Sequence, residues 1–235
     1  MVIIIMLFNH PLKPAKLLRR YKRFLADVEL PDGTQLTVHC PNTGSMLGCN
    51  EPGLPVMISR SDNPKRKYPH TLEMVKGDGG WVGINTSLTN KLVREALEAG
   101  LFPELGQFDT IRPEVKTGNS RLDFLLSNGS ELTYLEVKNC TMARGNIALF
   151  PDAVTARGTK HLEELMRLHT EGFRTALIFC IQMGGVTSFT PAADIDPLYA
   201  ETLAKVVSKD VLALACRAEV TPKEIVVKER VAVVV

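Results

Sequence analysis

The spacing of apolar positions changes near residue 86. Before that point the chain carries short strand-like runs, at residues 23–30, 34–40, 54–60, 68–75 and 81–85. Pro31-Asp32-Gly33 and a Pro-, Asn- and Gly-rich stretch from Pro41 to Pro52 punctuate them. Five short strands in about 70 residues predict a small all-β unit of the OB barrel type, and spacing alone leaves an SH3-like barrel open. The opening Met1 to Phe8 is apolar but far short of the ~20 residues a membrane helix needs. It also lacks the basic lead and small-residue cleavage site of a signal peptide, so it predicts a buried first strand.

Beyond residue 86, helical and extended patterns alternate. Residues 87–99 predict a helix with Gly100 as its stop. Residues 120–126 and 131–139 predict strands around Ser127-Asn128-Gly129-Ser130. A helix over 159–170, an apolar strand over 174–183, and a helix from Asp196-Pro197 through Val207 follow, with strands at 211–220 and 225–235. Helices interleaved with strands imply an α/β unit. The predicted division is an OB-like barrel over residues 1–82 and an α/β domain over 83–235.

With 45% apolar and 23% charged residues, the chain has a globular composition rather than a disordered or fibrous one. Its five cysteines form no CxxC pair, which favours a reduced, cytoplasmic protein over a disulfide scaffold or a zinc site. The net charge of +2 hides a division. Residues 1–80 hold 11 basic and 7 acidic side chains, or +4; residues 81–235 hold 17 and 19, or −2.

Candidate chemistry sits on the hairpin. With Asn128 and Gly129 as a two-residue turn, Ser127 faces Ser130, and Asp123 and Glu136 become diagonal neighbours. Strand alternation then puts Arg121, Asp123, Glu136 and Lys138 on one face. Two converging carboxylates suit a hard divalent cation, and the Lys138 ammonium could orient water or stabilise a phosphoryl oxygen. The same pattern also fits an ordinary half-exposed sheet. On the preceding helix, Glu95 lies at the border of the apolar arc, where a carboxylate could tip towards the sheet. His161 is expected at the surface or boundary of its helix. Asp152 reads either as a site-positioning residue or as a turn cap, and Pro41-Asn42-Thr43-Gly44 either as a phosphate cradle or as a tight turn.

Two basic clusters stand out. Lys13, Lys16, Arg19, Arg20, Lys22 and Arg23 fall within eleven residues, and Lys65, Arg66 and Lys67 precede Tyr68. Phosphate contact is the direct use of such groups, with Tyr21, Phe24 and Tyr68 as stacking surfaces. A solvated surface that keeps the protein soluble is the plainer alternative.

An acid-bearing helix, then a hairpin with Asp and Glu-x-Lys, then a helix and another strand, resembles the PD-(D/E)xK nuclease core. More specifically, the chain resembles the sugar fermentation stimulation protein family. The resemblance rests on Arg20-Tyr21-Lys22-Arg23-Phe24, His39-Cys40-Pro41-Asn42-Thr43-Gly44-Ser45-Met46, Lys65-Arg66-Lys67-Tyr68-Pro69-His70-Thr71, Ser120-Arg121-Leu122-Asp123-Phe124 and Leu135-Glu136-Val137-Lys138-Asn139. Phe150-Pro151-Asp152-Ala153-Val154-Thr155 and Gly158-Thr159-Lys160-His161-Leu162 continue it.

It implies an N-terminal OB-like barrel, a restriction-endonuclease-like α/β domain, and DNA binding without strong sequence preference, linked to regulation of sugar (maltose) metabolism. By position, Asp123 and Glu136 match the metal-binding acids, Lys138 the motif lysine and Glu95 the extra helical acid. Leu122 stands where the motif's name has proline. The expected activity is Mg²⁺- or Mn²⁺-dependent phosphodiester hydrolysis, with a non-catalytic DNA-binding regulator as the alternative. DNA is the expected partner and a membrane is not; RNA and a homodimer remain open. Arg19, Arg20, Lys22, Arg23, Lys65, Arg66, Lys67 and Tyr68 are the expected nucleic-acid contacts.

Overall fold

In the computed structural model, residues 4–8 and 10–235 are described. The elements in chain order begin with β1 (Ile4–Leu7), β2 (Lys13–Tyr21), β3 (Leu25–Glu29), β4 (Gln35–His39), β5 (Pro55–Arg60), β6 (His70–Gly77), β7 (Gly80–Gly83) and α1 (Thr89–Glu98). Next come β8 (Thr110–Thr117), β9 (Ser120–Asn128), β10 (Glu131–Cys140), β11 (Met142–Arg144), β12 (Ile147–Phe150) and α2 (Ala156–Thr170). The chain closes with β13 (Arg174–Ile181), β14 (Ser188–Pro191), α3 (Pro197–Val207), β15 (Leu212–Val220), β16 (Glu224–Arg230) and β17 (Ala232–Val233).

The first sheet runs β4-β3-β2-β5-β6-β7, and pairing of His39 with Thr71 joins β4 to β6. Five strands thereby close into an OB barrel around Leu17, Val28, Val38, Val56, Ile58 and Leu72, all fully buried. The first basic cluster lies largely on β2, an ordinary barrel strand that buries Leu17 between Lys16 and Arg19. Its charged neighbours mask the apolar signal, so this strand was not among those expected.

The second sheet runs β1-β16-β15-β13-β10-β9-β8, with β10, β13 and β15 parallel at its centre. On β13 the alternation is clean and both faces are covered. Leu177, Phe179 and Ile181 pack with Leu162 and Leu165 of α2 and Leu203 of α3. Ala176, Ile178 and Cys180 pack with Leu92, Val93 and Ala96 of α1. Helices on both faces explain why β13 reads as a continuous apolar run. A small sheet, β11-β12-β14-β17, completes the fold.

β1 is a strand as expected, but it does not enter the barrel. It pairs antiparallel with β16 through Ile4–Val227 to Leu7–Glu224, at the edge of the second sheet. Residues 1–3 of the predicted first strand lie outside the described residues. The barrel meets the second sheet through β7: Gly83 N–H donates to Gln182 O at 2.8 Å, and a bridge joins Val82 to Met183. A Cβ on Gly83 would stand 2.5 Å from Gln182 Oε1 and 3.1 Å from its Cβ, so this approach favours glycine.

Asp196 caps α3, its Oδ1 accepting from Tyr199 N–H at 3.0 Å. Its Oδ2 accepts from Thr155 N–H at 2.8 Å, which ties the starts of α2 and α3 together.

Candidate active site

The hairpin between β9 and β10 turns at Gly129 and Ser130, and Asn128 pairs with Glu131. Gly129 takes φ +55°, a conformation that costs glycine little. The register therefore differs by two residues from the one expected with Asn128-Gly129 as the turn. A two-residue change preserves the faces, so Asp123, Glu136 and Lys138 remain on one side. Leu135 lies opposite Phe124, and Asp123 and Glu136 are the next positions along the hairpin, rather than diagonal neighbours.

There the regular ladder ends, and a side chain takes over: Asp123 Oδ2 accepts from Val137 N–H at 2.8 Å. Asp123 Oδ1 accepts from Asn90 Nδ2 of α1 at 2.7 Å. Burial, with Glu136 adding repulsion, pushes the Asp123 carboxyl up to about 6.

Glu136 is 3% exposed. Its Oε1 accepts from Lys138 Nζ at 2.6 Å and lies against His161 Nδ1 of α2. Lys138 Nζ is also 3.4 Å from His161 Nδ1. Burial raises the Glu136 carboxyl, but attraction to Lys138 and the contacts with His161 outweigh it and hold the group below its ordinary value. Its second oxygen, Oε2, is buried with no hydrogen-bond partner among the described residues. A buried acceptor on an ionised carboxylate is costly to leave alone, and a cation answers it.

Among the described residues no three His, Cys, Asp or Glu side chains form a ready metal cage. The available donors are two carboxylates, an oxygen-rich but incomplete set. That suits Mg²⁺ or Mn²⁺, which leave remaining positions to water and phosphate, better than zinc, which prefers nitrogen and sulfur.

These groups line a cleft of about 440 Å³ between the barrel and the second sheet. Its charged lining is balanced: Arg23, Lys138 and Arg157 against Asp123, Glu136 and Asp152. Asn42, Thr43 and Gly44 of the barrel form one wall. Met46 N–H donates to Asp152 Oδ2 at 2.7 Å, and Ser45 Oγ donates to the Asp152 carbonyl. Asp152 thus fastens the barrel loop over the cleft. The loop's Gly44 N–H donates to Asn42 Oδ1 at 2.8 Å, forming a tight turn.

The remaining predicted residues divide. Glu95 does not line the cleft; it lies 3.9 Å from Lys91 on α1, and Asn90 supplies that helix's contact to Asp123. Five residues separate Asn90 from Glu95, which rotates them about 140° apart on the helix.

Arg20 faces inward. Its guanidinium donates to the carbonyls of Arg23, Asn42 and Gly44 at 2.7–2.8 Å, stapling the barrel loop. Arg19 donates to Asp27 at 2.8 Å and stacks over Tyr21. Lys22 and Arg23 turn the β2–β3 hairpin with positive φ, and Arg23 Nε donates to Thr43 O at 2.9 Å. Lys65 and Lys67 are exposed, Arg66 donates to Thr71 Oγ1 at 3.1 Å, and Lys67 lies over the Tyr68 ring. Of these eight, Arg23 alone lines the cleft.

Asn90 and Arg157 carried no sequence signal. His161 did: it is buried, not at the surface or boundary, and it precedes buried Leu165 by four residues and Leu168 by seven. That spacing marks the inner face of a helix.

A closed OB barrel joined to a mixed sheet, whose central hairpin presents Asp and Glu-x-Lys to a shared cleft, defines a two-part protein with a restriction-endonuclease-like second half. Comparison with known proteins agrees. Residues 18–84 match the SfsA N-terminal OB domain, and residues 87–224 match the sugar fermentation stimulation protein RE domain. The chain belongs to the sugar fermentation stimulation protein family. It is 55% identical over 225 residues to the homolog from Pelobacter propionicus, covering 95% of this chain and 98% of that one. With the homolog from Geotalea uraniireducens it shares 54% over 216 residues, covering 92% and 94%. The solved structure of Pyrococcus furiosus SfsA, a complex with Ca²⁺, superposes with a TM-score of 0.92 over the whole of both chains at 27% identity. Among the described residues no helix is long and apolar enough to cross a membrane.

Proposed function

We propose that this protein binds DNA without strong sequence preference and hydrolyses its phosphodiester bonds with Mg²⁺ or Mn²⁺ held by Asp123 and Glu136. The observation that carries the reading is Glu136 Oε2, buried and unpartnered beside a second carboxylate in a cleft. The Ca²⁺ in the Pyrococcus furiosus relative supports a hard divalent cation. Such an ion, when bound, lowers the pKa of water and offsets phosphate charge.

The chain's own residues would do the rest. Asn90 and Val137 N–H hold the Asp123 carboxylate in place. His161 and Lys138 share one oxygen of Glu136, leaving the other available. The Lys138 ammonium lines the cleft and can donate to a phosphoryl oxygen as negative charge develops.

End-labelled duplex and single-stranded DNA, incubated with purified protein and either metal, should be cut by wild type and spared by Lys138→Ala. Equal cutting by the variant, or none by wild type, rejects the mechanism. The contacts that Lys138 and His161 already make to Glu136 Oε1 also fit a second reading, a non-catalytic DNA-binding regulator of sugar (maltose) metabolism. That protein would bind DNA with a salt-dependent affinity, ignore Asp123→Asn and cut nothing.

A further inference from the structure

Next to the neutral cleft lies a second pocket of about 600 Å³. The β8–β9 turn forms one side, with Lys116, Asn119 and Arg121, and the first turns of α2 form the other, with Arg157 and Lys160. Its charged lining is four cations against Glu114, or +3 with histidine neutral. All four cations are exposed. Glu114 lies 3.6 Å from Arg121. Lys160 Nζ donates to Asn119 O at 3.1 Å, which joins the two sides of the pocket. Lys116 and Arg157 have no ion-pair or hydrogen-bond partner among the described residues.

Two residues belong to both places. Arg157 lines the cleft as well as the pocket. His161 lines the pocket and touches Glu136 of the cleft through Nδ1. Whatever occupies the pocket therefore lies immediately beside the carboxylates. Concentrated positive charge next to a neutral reacting cleft is suited to an anion that is held rather than cleaved.

The geometry points to a phosphate-binding subsite: Lys116, Arg121, Arg157 and Lys160 seat a backbone phosphate of a nucleic-acid strand flanking the one placed at Asp123 and Glu136. This rests on the proposed DNA-cleaving function and extends it. The main phosphate-holding surface then lies on the second half of the chain. Arg19 and Arg20 of the barrel are bonded to protein groups. The site is built for internal bonds of a polynucleotide, because a small phosphodiester has nothing to place in the pocket.

Fluorescence anisotropy with a labelled 16-base-pair duplex in EDTA tests this, using the full chain over a range of salt concentrations. Each neutralised phosphate contact changes the slope of log K against log salt by about 0.9. The variant Lys116→Gln/Arg121→Gln/Arg157→Gln should bind more weakly, with a slope reduced by about 1, the loss of one phosphate contact. The paired change Lys65→Gln/Lys67→Gln on the barrel should reduce it less. If wild type binds and the triple variant keeps its affinity and slope, the subsite is wrong and the DNA-binding reading stands. If wild type binds no duplex or single strand, both fail.

Discussion

Replacing Asp123 by Asn should make the metal-free protein more stable while abolishing its response to metal. Burial and the neighbouring Glu136 raise the Asp123 carboxyl from its ordinary 3.8 to about 6. Below pH 3.8 it is protonated in folded and unfolded chains alike, and ionisation costs nothing. The cost grows between 3.8 and about 6 and is fully developed above that. At 1.36 kcal/mol per pH unit, it reaches about 3 kcal/mol at pH 8.

Water in the open cleft screens part of this, and an amide nitrogen facing Val137 N–H forfeits a hydrogen bond worth about 1 kcal/mol. A net gain of about 1 kcal/mol remains, or 2–4 °C in melting temperature for a chain of this size. Differential scanning fluorimetry in EDTA should show Asp123→Asn melting higher than wild type at pH 8, with the advantage gone by about pH 5. Mn²⁺ at a hundred times its dissociation constant should add about 2.7 kcal/mol to wild type and little to the variant. A variant that melts below wild type at pH 8, or gains as much from Mn²⁺, would refute the assignment of Asp123 as a strained, cation-seeking carboxylate.

Other expectations concern the surroundings of the cleft. Arg20→Ala should lower stability by about 2 kcal/mol, because the partly buried carbonyls of Asn42 and Gly44 lose a charged donor; Arg19→Ala, at an exposed pair, should change thermal denaturation far less. Gly44→Ala would put a Cβ 2.6 Å from Asp152 Oδ1, so it should cost about 1–3 kcal/mol in the same assay, and an unchanged midpoint would deny the Asp152 clamp. All five cysteines are buried, and burial, aided by Glu51 and Asp152, pushes Cys49 up to about 12. A disulfide reagent at pH 8 should leave the native thiols unmodified and titrate all five in guanidinium; fast labelling of the native protein would contradict that packing.

Where one physical signal dominated, the sequence was readable. Strand-like runs between turn residues showed β3 and β4, a continuous apolar run showed β13, and Asp196-Pro197 showed the start of α3. Faces of the hairpin survived an error of two residues in register because side chains alternate with period two. Other elements carried mixed signals. Six cations around β2 obscured a strand that buries only Leu17. β8 is an edge strand with five exposed positions and Pro113, so it lacks an apolar face to read. The placement of β1 depends on β16, more than 200 residues away, and no local pattern encodes such a pairing.

The same division holds at the candidate site. Asp123, Glu136 and Lys138 were legible because they share one local hairpin. Asn90, Asp152 and His161 come to it from a helix, a loop and another helix, through tertiary contacts. Glu95 stands out as the acid at the border of the apolar arc, but the rotation of α1 presents Asn90 to Asp123 instead. Basic residues were legible as charge and not as function: Arg20 looks like a phosphate contact in the sequence and is a loop staple in the fold.

Anomalous diffraction from crystals soaked in Mn²⁺ tests the pairing of the two carboxylates most directly. A peak between Asp123 and Glu136 Oε2, absent in Asp123→Asn crystals, is the expected result. A well-ordered Mn²⁺ bound only elsewhere, or no peak at saturating metal, would contradict a cation held by these two acids.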